Sequence, residues 1–562
     1  MKNHQKYRRG YFMPPVNAYR WAREEYITRA PAWCSVDLRD GNQALVVPMS
    51  LAEKLEFFSF LVRLGFKEIE VGFPASSDTE YAFLRALIER DLIPADVTVQ
   101  VLTQSREHII DKTFAALRGV KKAVVHLYNS TSLAQREQVF QKPRAEITEI
   151  AVSGARLLAE YARQTPGEFR FEYSPESFTG TEMEYALEIC NAVLDIWRPA
   201  ADSPVIINLP VTVSMSLPHV YASQIEFMSD NMKYRPHVVL SQHPHNDRGC
   251  AVADTELGLL AGAQRVEGTL FGNGERTGNV DIVTLALNMY AHGVDPLLDL
   301  ENMPEVVAMY EKLTGMRVYE RQPYGGKLVF AAFSGSHQDA IAKGMKWHEE
   351  HLTEHWAVPY LPIDPQDIGR EYEGDVIRIN SQSGKGGVAY VLEQQFGLEL
   401  PAKLREELGY LVKGVSDRER RELLPQDVYD IFRAEYINLE EPVRAADYQF
   451  QRNDHMRARL ELERQGEKLA GEGSGNGRFD AISNAVQSLL GIRYTDLTYK
   501  EHALGEGSTA QAIAYVSVRD EDGRTYWGAG VHTDIMAASV NALISAVNRK
   551  LREGTRELRV EN

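Results

Sequence analysis

Cysteine is scarce in this chain of 562 residues: only Cys34, Cys190 and Cys250 occur, far apart and without a CxxC pair. A disulfide framework is therefore not expected, and a reducing, cytoplasmic setting is. Positive charge is in deficit too. Lys plus Arg number 62 against 79 Asp plus Glu, a formal charge of −17. That excludes the broad basic surface of nonspecific nucleic-acid binding but leaves room for a local cationic pocket. No run of about 18 apolar residues appears, so no membrane span is expected. The opening MKNHQKYRRGYFMPP is basic without an apolar stretch behind it, so it does not read as a secretory signal. Low-complexity tracts and strong internal repeats are missing as well.

What is present is a rhythm. Short β-rich runs occur at 33–38, 68–73, 97–103, 122–128, 169–174, 205–210, 238–243 and 265–272, with helical spacing at 50–65, 78–90, 146–163, 181–197 and 249–263. Eight strands alternating with helices predict an α/β fold, a parallel (β/α)8 TIM barrel; a doubly wound open sheet is the alternative. Beyond about residue 325 the rhythm stops. Residues 330–440 read as small, charged helical subdomains. The glycine-rich GEKLAGEGSGNGRFD (466–480) reads as a loop or linker, and a C-terminal α+β module follows.

In such a barrel, chemistry gathers at the C-terminal ends of the strands. Polar residues collect there: Asp37, Arg39, Asp40, Asn42 and Gln43 after the first strand, then Glu70, His126, Ser174 with Glu176, Thr212, and His243 with His245. The eighth strand runs into GNGERTGN, with Asn273, Glu275, Arg276 and Asn279; its glycine-rich turn before a helix resembles an anion cradle. Residues i and i+2 of a strand face one side, so the HPH of 243–245 aims both imidazoles at one target. Asp40 lies two strands around the closed ring. Two histidines and a carboxylate suit a divalent ion that polarises a substrate oxygen, and Asn279 can add a carbonyl; Zn²⁺, Mg²⁺ and Mn²⁺ all remain open. The plainer alternative is a pair of histidines hydrogen-bonded in a buried turn. Arg39 is either a rim ion pair or a fixed positive charge for a developing oxyanion. His337, in the Gly/Ser turn of FSGSHQDAI, reads by itself as an exposed histidine in a helix's first turn. SGKGG (383–387) lacks the spacing of a nucleotide-binding loop.

Several stretches together resemble the 2-isopropylmalate synthases of the long, leucine-regulated form: DLRDGNQAL, KEIEVGFPASS, HLYNSTS, YSPESFTGTE, NLPVTVSMSLP, HPHNDRGCAVA and GNGERTGNVDIVTLALN. SGSHQDAI, YLPIDPQDIGREYE and NSQSGKGG resemble that family's linking region, and the C-terminal GNG with EHA…AQAxAY its regulatory domain. The resemblance implies a catalytic barrel over 1–326, linking subdomains over 327–390 and 391–446, and a leucine-binding regulatory domain over 447–562. It implies condensation of acetyl-CoA with 2-oxoisovalerate and water, the committed step of leucine synthesis, inhibited by leucine. Metal ligands would be Asp40, His243, His245 and Asn279. Arg39, His126, Ser174 and Thr212 would bind substrate, and Arg39, Glu176, His337 and Tyr372 would carry the chemistry. The methyl-deprotonating base stays open between Glu176 and His337. The implied assembly is a homodimer in which His337 and Tyr372 come from the other subunit, with a divalent metal and K⁺ as a candidate activator. Leucine would meet Gly475, Asn476, Gly477, Tyr499, Ala503 and Ala510. Competing readings are a citramalate or homocitrate synthase, a hydroxymethylglutaryl-CoA lyase, and a leucine sensor without catalysis.

Overall fold

Eight short runs rich in β-branched and aliphatic residues form parallel strands: β1 (Ala32–Ser35), β2 (Glu68–Gly72), β3 (Thr98–Gln104), β4 (Lys122–Ser130), β5 (Glu168–Glu176), β6 (Val205–Val211), β7 (Val238–Pro244) and β8 (Arg265–Gly268). They pair in chain order, and β8 closes onto β1 with Ser35 opposite Gly268, so the sheet is a closed barrel and the open-sheet alternative falls. The computed structural model describes residues 6, 9–332, 334–351, 354–372, 385–421, 423–452, 455–505 and 510–560. Phe333 of FSGSHQDAI and residues 380–384 of NSQSGKGG lie outside these.

Local chemistry sets the helices that cover the barrel. Leu51–Arg63 starts with a capping box, Ser50 accepting from the Glu53 N–H while Glu53 reaches back, and stops at Gly65, whose φ of +98° favours glycine. Its buried face carries Phe57, Phe58 and Leu61. With helices outside, the strands bury both faces, which is why they read as continuous apolar runs. The barrel interior departs from the usual aliphatic filling. Glu70, Gln100, His126, Glu172, Asn208, His243 and Glu267 are all buried.

Two compact units emerge: Met1–Val329 with Ile363–Glu371, and Phe330–Pro362 with Tyr372–Asn562. In the second, the helices Lys385–Phe396, Ala402–Glu419 and Pro425–Tyr436 precede two antiparallel sheets. The first sheet is β9 (Val443–Arg452), β10 (Met456–Arg464) and β11 (Glu467–Gly475), followed by the helix Arg478–Leu490. The second is β12 (Thr495–Leu504), β13 (Gln511–Arg519) and β14 (Thr525–His532), followed by the helix Ile535–Val560.

One expectation is corrected here, and a repeat appears that the sequence does not carry. The glycine-rich segment expected as a loop is largely the strand β11. A Cβ on Gly473 would stand 2.3 Å from the Ala481 carbonyl oxygen and the Ala485 nitrogen, so glycine there lets the following helix lie against the sheet. The chain also carries a structural repeat, three strands and a helix used twice. Gly528 repeats the device, its Cβ position 2.3 Å from the Ala542 carbonyl oxygen. The second sheet is buried on both faces. Ala514, Val516 and Val518 belong to the core shared with Ile535–Val560, while Ile513, Tyr515, Trp527 and Ala529 pack with the three preceding helices. Among the described residues no helix is long and apolar enough to cross a membrane.

Candidate active site

Asp40 arrives on a wide helical turn, Asp37–Gly41, that follows β1. His243 lies on β7 and His245 just beyond it, and the strand alternation puts both rings on one side, stacked 5.2 Å apart at 16°. The Nε2 atoms of both histidines stand 3.6 Å from one oxygen, Asp40 Oδ2. That oxygen is buried and has no hydrogen-bond partner among the described residues. Asn279 Oδ1 points to the same place, 2.8 Å from His243 Nε2. Its loop depends on Gly278, at φ +91°, where a Cβ would fall 1.8 Å from the Gly272 carbonyl oxygen.

An orphaned carboxylate oxygen facing two imidazole nitrogens is what a divalent ion would complete. Bonds of about 2.1 Å give ligand-to-ligand edges of about 3 to 3.5 Å, close to the spacing found. A buried group of His126, Glu172 and Glu267 has comparable spacing. There, however, Arg265 Nη1 already stands 3.0 Å from Glu267 and 3.4 Å from Glu172, so a guanidinium supplies the positive charge.

The electrostatics follow from burial and pairing. Burial pushes the Asp40 carboxyl up, but Arg39 and the two histidines outweigh it and hold it below the ordinary carboxylate range. Burial alone would lower His243; Asp40 and Glu267 overcome it and raise the imidazole to about 10. His245 goes the other way, down to about 4, from burial and then from its neighbour His243. Arg39 is a rim ion pair in geometry, donating to Asp40 Oδ1 at 2.6 Å and to Glu70 Oε2 at 2.5 Å. Glu70 also lies 3.0 Å from His126 Nδ1, so one carboxylate holds both Arg39 and His126.

On the far side of the barrel axis, His126 Nε2 is 2.7 Å from Ser174 Oγ. Thr212 Oγ1 accepts the Ser177 N–H at 2.8 Å, and the Glu176 carboxylate accepts from Ser130 Oγ. The first unit thus brings together Arg39, Asp40, His126, Ser174, Glu176, Thr212, His243, His245 and Asn279 at one end of the barrel. His337 and Tyr372 fall in the second unit. The His337 ring is exposed and stacked 4.0 Å from Tyr360, and the buried Tyr372 hydroxyl has no hydrogen-bond partner among the described residues.

The anion cradle expected of GNGERTGN does not form. The next helix begins at Ile282, and Asp281 occupies its N-terminus by accepting the Val283 N–H at 2.9 Å. Sequence reasoning also missed a buried tier: Gln100, Glu172, Asn208, Arg265 and Glu267. The signal was there, a period-two run of polar residues at 172, 174 and 176, at 241, 243 and 245, and at 265 and 267. In a strand such alternation ordinarily marks a solvent face.

In the second unit, Gly475 ends β11, Asn476 donates its N–H to Asp480 Oδ2 at 2.8 Å, and Gly477 caps the helix Arg478–Leu490. Phe479 packs 5.0 Å from the Tyr499 ring, and Tyr499 Oη is 2.9 Å from Ser539 Oγ. Ala503 pairs with Ala512, and Ala510 directly precedes β13. From the opposite face of β12, Lys500 donates to the Glu399 carbonyl at 3.0 Å, and His502 Nε2 lies 3.0 Å from the Gly397 carbonyl.

Known proteins match along nearly the whole chain. Residues 30–309 match the HMGL-like family. Residues 327–393 match the alpha-isopropylmalate synthase post-catalytic domain-like family, and 422–551 the LeuA allosteric (dimerisation) domain. The chain is 68% identical to a 2-isopropylmalate synthase of Desulfitobacterium hafniense (strain Y51), over 98% of this chain and 99% of that one. It is 59% identical to one from Helicobacter hepaticus (strain ATCC 51449 / 3B1), over 97% and 100% of the two chains.

Proposed function

The chain belongs to the 2-isopropylmalate synthase family, and from that footing we propose that it joins acetyl-CoA to 2-oxoisovalerate, with water, to give 2-isopropylmalate and free CoA. The observation that carries this reading is the orphaned Asp40 Oδ2 between His243 and His245, with the Arg39 guanidinium alongside. A divalent ion held by Asp40, His243, His245 and Asn279 would supply the positive charge that polarises the 2-oxo acid's keto group. Mg²⁺, Mn²⁺ and Zn²⁺ all suit this donor set, and K⁺ is a candidate activator.

The chain's own side chains do the rest. Arg39 presents a fixed cation, 13% exposed, to the oxygen that gains charge as the new carbon–carbon bond forms. Thr212 is the proposed donor to the substrate carboxylate, and Ser174 and His126, bonded to each other, are the other proposed substrate contacts. Glu176, alone or with His337, takes a proton from the acetyl methyl group; the carbanion attacks the keto carbon, and water then cleaves the thioester. Tyr372 is assigned to the same acid–base work. His337 and Tyr372 would come from the partner in a homodimer, for which the match to a dimerisation domain is the support. Leucine is the proposed effector, bound by Gly475, Asn476, Gly477, Tyr499, Ala503 and Ala510.

The test is acetyl-CoA-dependent thiol release with pyruvate, 2-oxoisovalerate and 2-oxoglutarate, each with and without leucine. Preference for 2-oxoisovalerate with inhibition by leucine is expected. Preference for pyruvate or 2-oxoglutarate would make the chain a citramalate or homocitrate synthase instead.

A further inference from the structure

Glu267 has no part in the reaction as described, yet its buried carboxylate accepts from four donors. Oε2 lies 2.8 Å from His243 Nδ1 and 3.2 Å from Asn208 Nδ2; Oε1 lies 2.7 Å from Gln100 Nε2 and 3.0 Å from Arg265 Nη1. Asn208 Nδ2 also donates to Ser174 Oγ at 3.0 Å, and Ser174 Oγ is 2.7 Å from His126 Nε2. An unbroken line of hydrogen bonds therefore runs from His243 through Glu267, Asn208 and Ser174 to His126. It crosses the barrel on five neighbouring strands, β4 to β8.

The geometry points to Glu267 as the positioning residue of the site, aiming His243 at the metal position and, through Asn208, aiming the Ser174–His126 pair at the 2-oxo acid. This rests on the metal-dependent reading above. An ionised carboxylate only accepts, so it keeps a proton on His243 Nδ1 and leaves Nε2 to face Asp40 Oδ2. The Asn208 amide has one Nδ2 serving both sides, so a shift of Glu267 is passed to Ser174. An isosteric amide at 267 does not reproduce this. Turned one way, its NH2 faces Gln100 and Arg265; turned the other, it faces His243 and Asn208. Each arrangement sets donor against donor.

Glu172 is the comparison from the same buried tier. It is also fully buried, 3.4 Å from Arg265 Nη1 and 3.4 Å from His126 Nε2, and its carboxyl meets that of Glu267, where a glutamine amide can still donate; none of its bonds goes to Asp40, His243, His245 or Asn279. Mn²⁺ is titrated calorimetrically into the metal-stripped full-length protein, and KM for 2-oxoisovalerate is measured at saturating Mn²⁺. Glu267→Gln is expected to weaken Mn²⁺ binding about 10- to 100-fold and to raise the KM in parallel, while Glu172→Gln stays within about twofold for Mn²⁺. Mn²⁺ affinity of Glu267→Gln within twofold of the parent overturns the inference. So does equal weakening in both variants, which would mark a general effect of losing a buried acid. Should Glu267→Gln not fold, Asn208→Ala removes only an uncharged link; a KM at least about fivefold higher supports the connection across the barrel, and an unchanged KM overturns it. A parent protein that binds no Mn²⁺ sinks the metal reading together with this one. A parent that binds Mn²⁺ as tightly as Glu267→Gln does sinks this one alone.

Discussion

Lys54 donates from a fully buried ammonium group to the Leu38 carbonyl oxygen, 3.1 Å away. Leu38 lies inside the turn that presents Arg39 and Asp40, so this bond anchors that turn to the helix Leu51–Arg63. The ammonium is paired with Glu80, whose carboxylate also accepts the Phe73 N–H. Burial lowers the Lys54 pKa, against the pull of Glu80. Lys54→Met should therefore leave Glu80 without its cation and cost about 3 kcal/mol of stability. Chemical denaturation checks the cost. A second readout, Mn²⁺ affinity of the folded fraction, should fall as the turn loosens.

Asp37, in the same turn, tests burial by pH. It accepts from Ser35 Oγ at 2.8 Å and from the Leu270 N–H at 3.1 Å, and burial, only partly offset by these bonds, raises its carboxyl from 3.8 to about 7. A raised acid makes the folded state hold a proton that the unfolded chain has released. Its contribution is therefore complete below about pH 4 and is lost as pH rises towards 7. Asp37→Asn, which keeps an acceptor for Leu270, should flatten that slope and gain at least about 1 kcal/mol at pH 8 relative to pH 4. Urea melts of both proteins at the two pH values decide it; parallel curves would rule out a neutral buried Asp37.

Asp40→Asn keeps the size and removes the charge from the candidate metal centre. Turnover should fall at least about 100-fold and stay low in excess metal. Mn²⁺ binding followed directly should weaken by a similar factor. Near-normal turnover would mean that the two histidines hold the ion without the carboxylate.

The barrel was legible because its strands are short, apolar and bounded by helical spacing, and HPH at 243–245 was legible because strand parity alone puts both rings on one side. Glu267, Glu172 and Gln100 were not, since a polar residue alternating along a strand looks like a solvent-facing one. Only closure of the sheet turns that face inward. β11 was hidden by the glycines that let a helix approach it. The two three-strand-and-helix modules share a packing device, not a sequence. His337 and Tyr372 came from resemblance to a family alone, since an exposed histidine and a lone tyrosine in the linking region carry no spacing signal.

Gly473 gives that packing argument a measurable form. A methyl group there meets backbone atoms of Ala481 and Ala485 rather than a flexible side-chain end, so the helix Arg478–Leu490 must move off the sheet. Gly473→Ala should cost about 2 kcal/mol, from overpacking. Gly466, with nothing within 4 Å of its Cβ position but φ at +88°, should cost only backbone strain, about 1 kcal/mol, when changed to Ala. Differential scanning of the two variants checks the order; equal losses would show that the close approach at Gly473 yields.

Tyr499 addresses the proposed effector site. Its ring packs on Phe479 beside the Gly475–Gly477 turn, and its hydroxyl meets Ser539 on the closing helix, so it joins the two modules at one point. Strand alternation puts Tyr499 on one face of β12 and Lys500 on the other, where Lys500 grips the turn at Glu399. The two positions should separate binding from transmission. Tyr499→Ala should weaken leucine binding at least about tenfold, measured calorimetrically, and right-shift inhibition equally, with the KM for 2-oxoisovalerate unchanged. Lys500→Met should leave leucine affinity within about threefold but reduce the maximal inhibition, because the bound state can no longer pull on the helical region. Full inhibition in Lys500→Met would mean that leucine's effect leaves the sheet by the helix Ile535–Val560 rather than through β12.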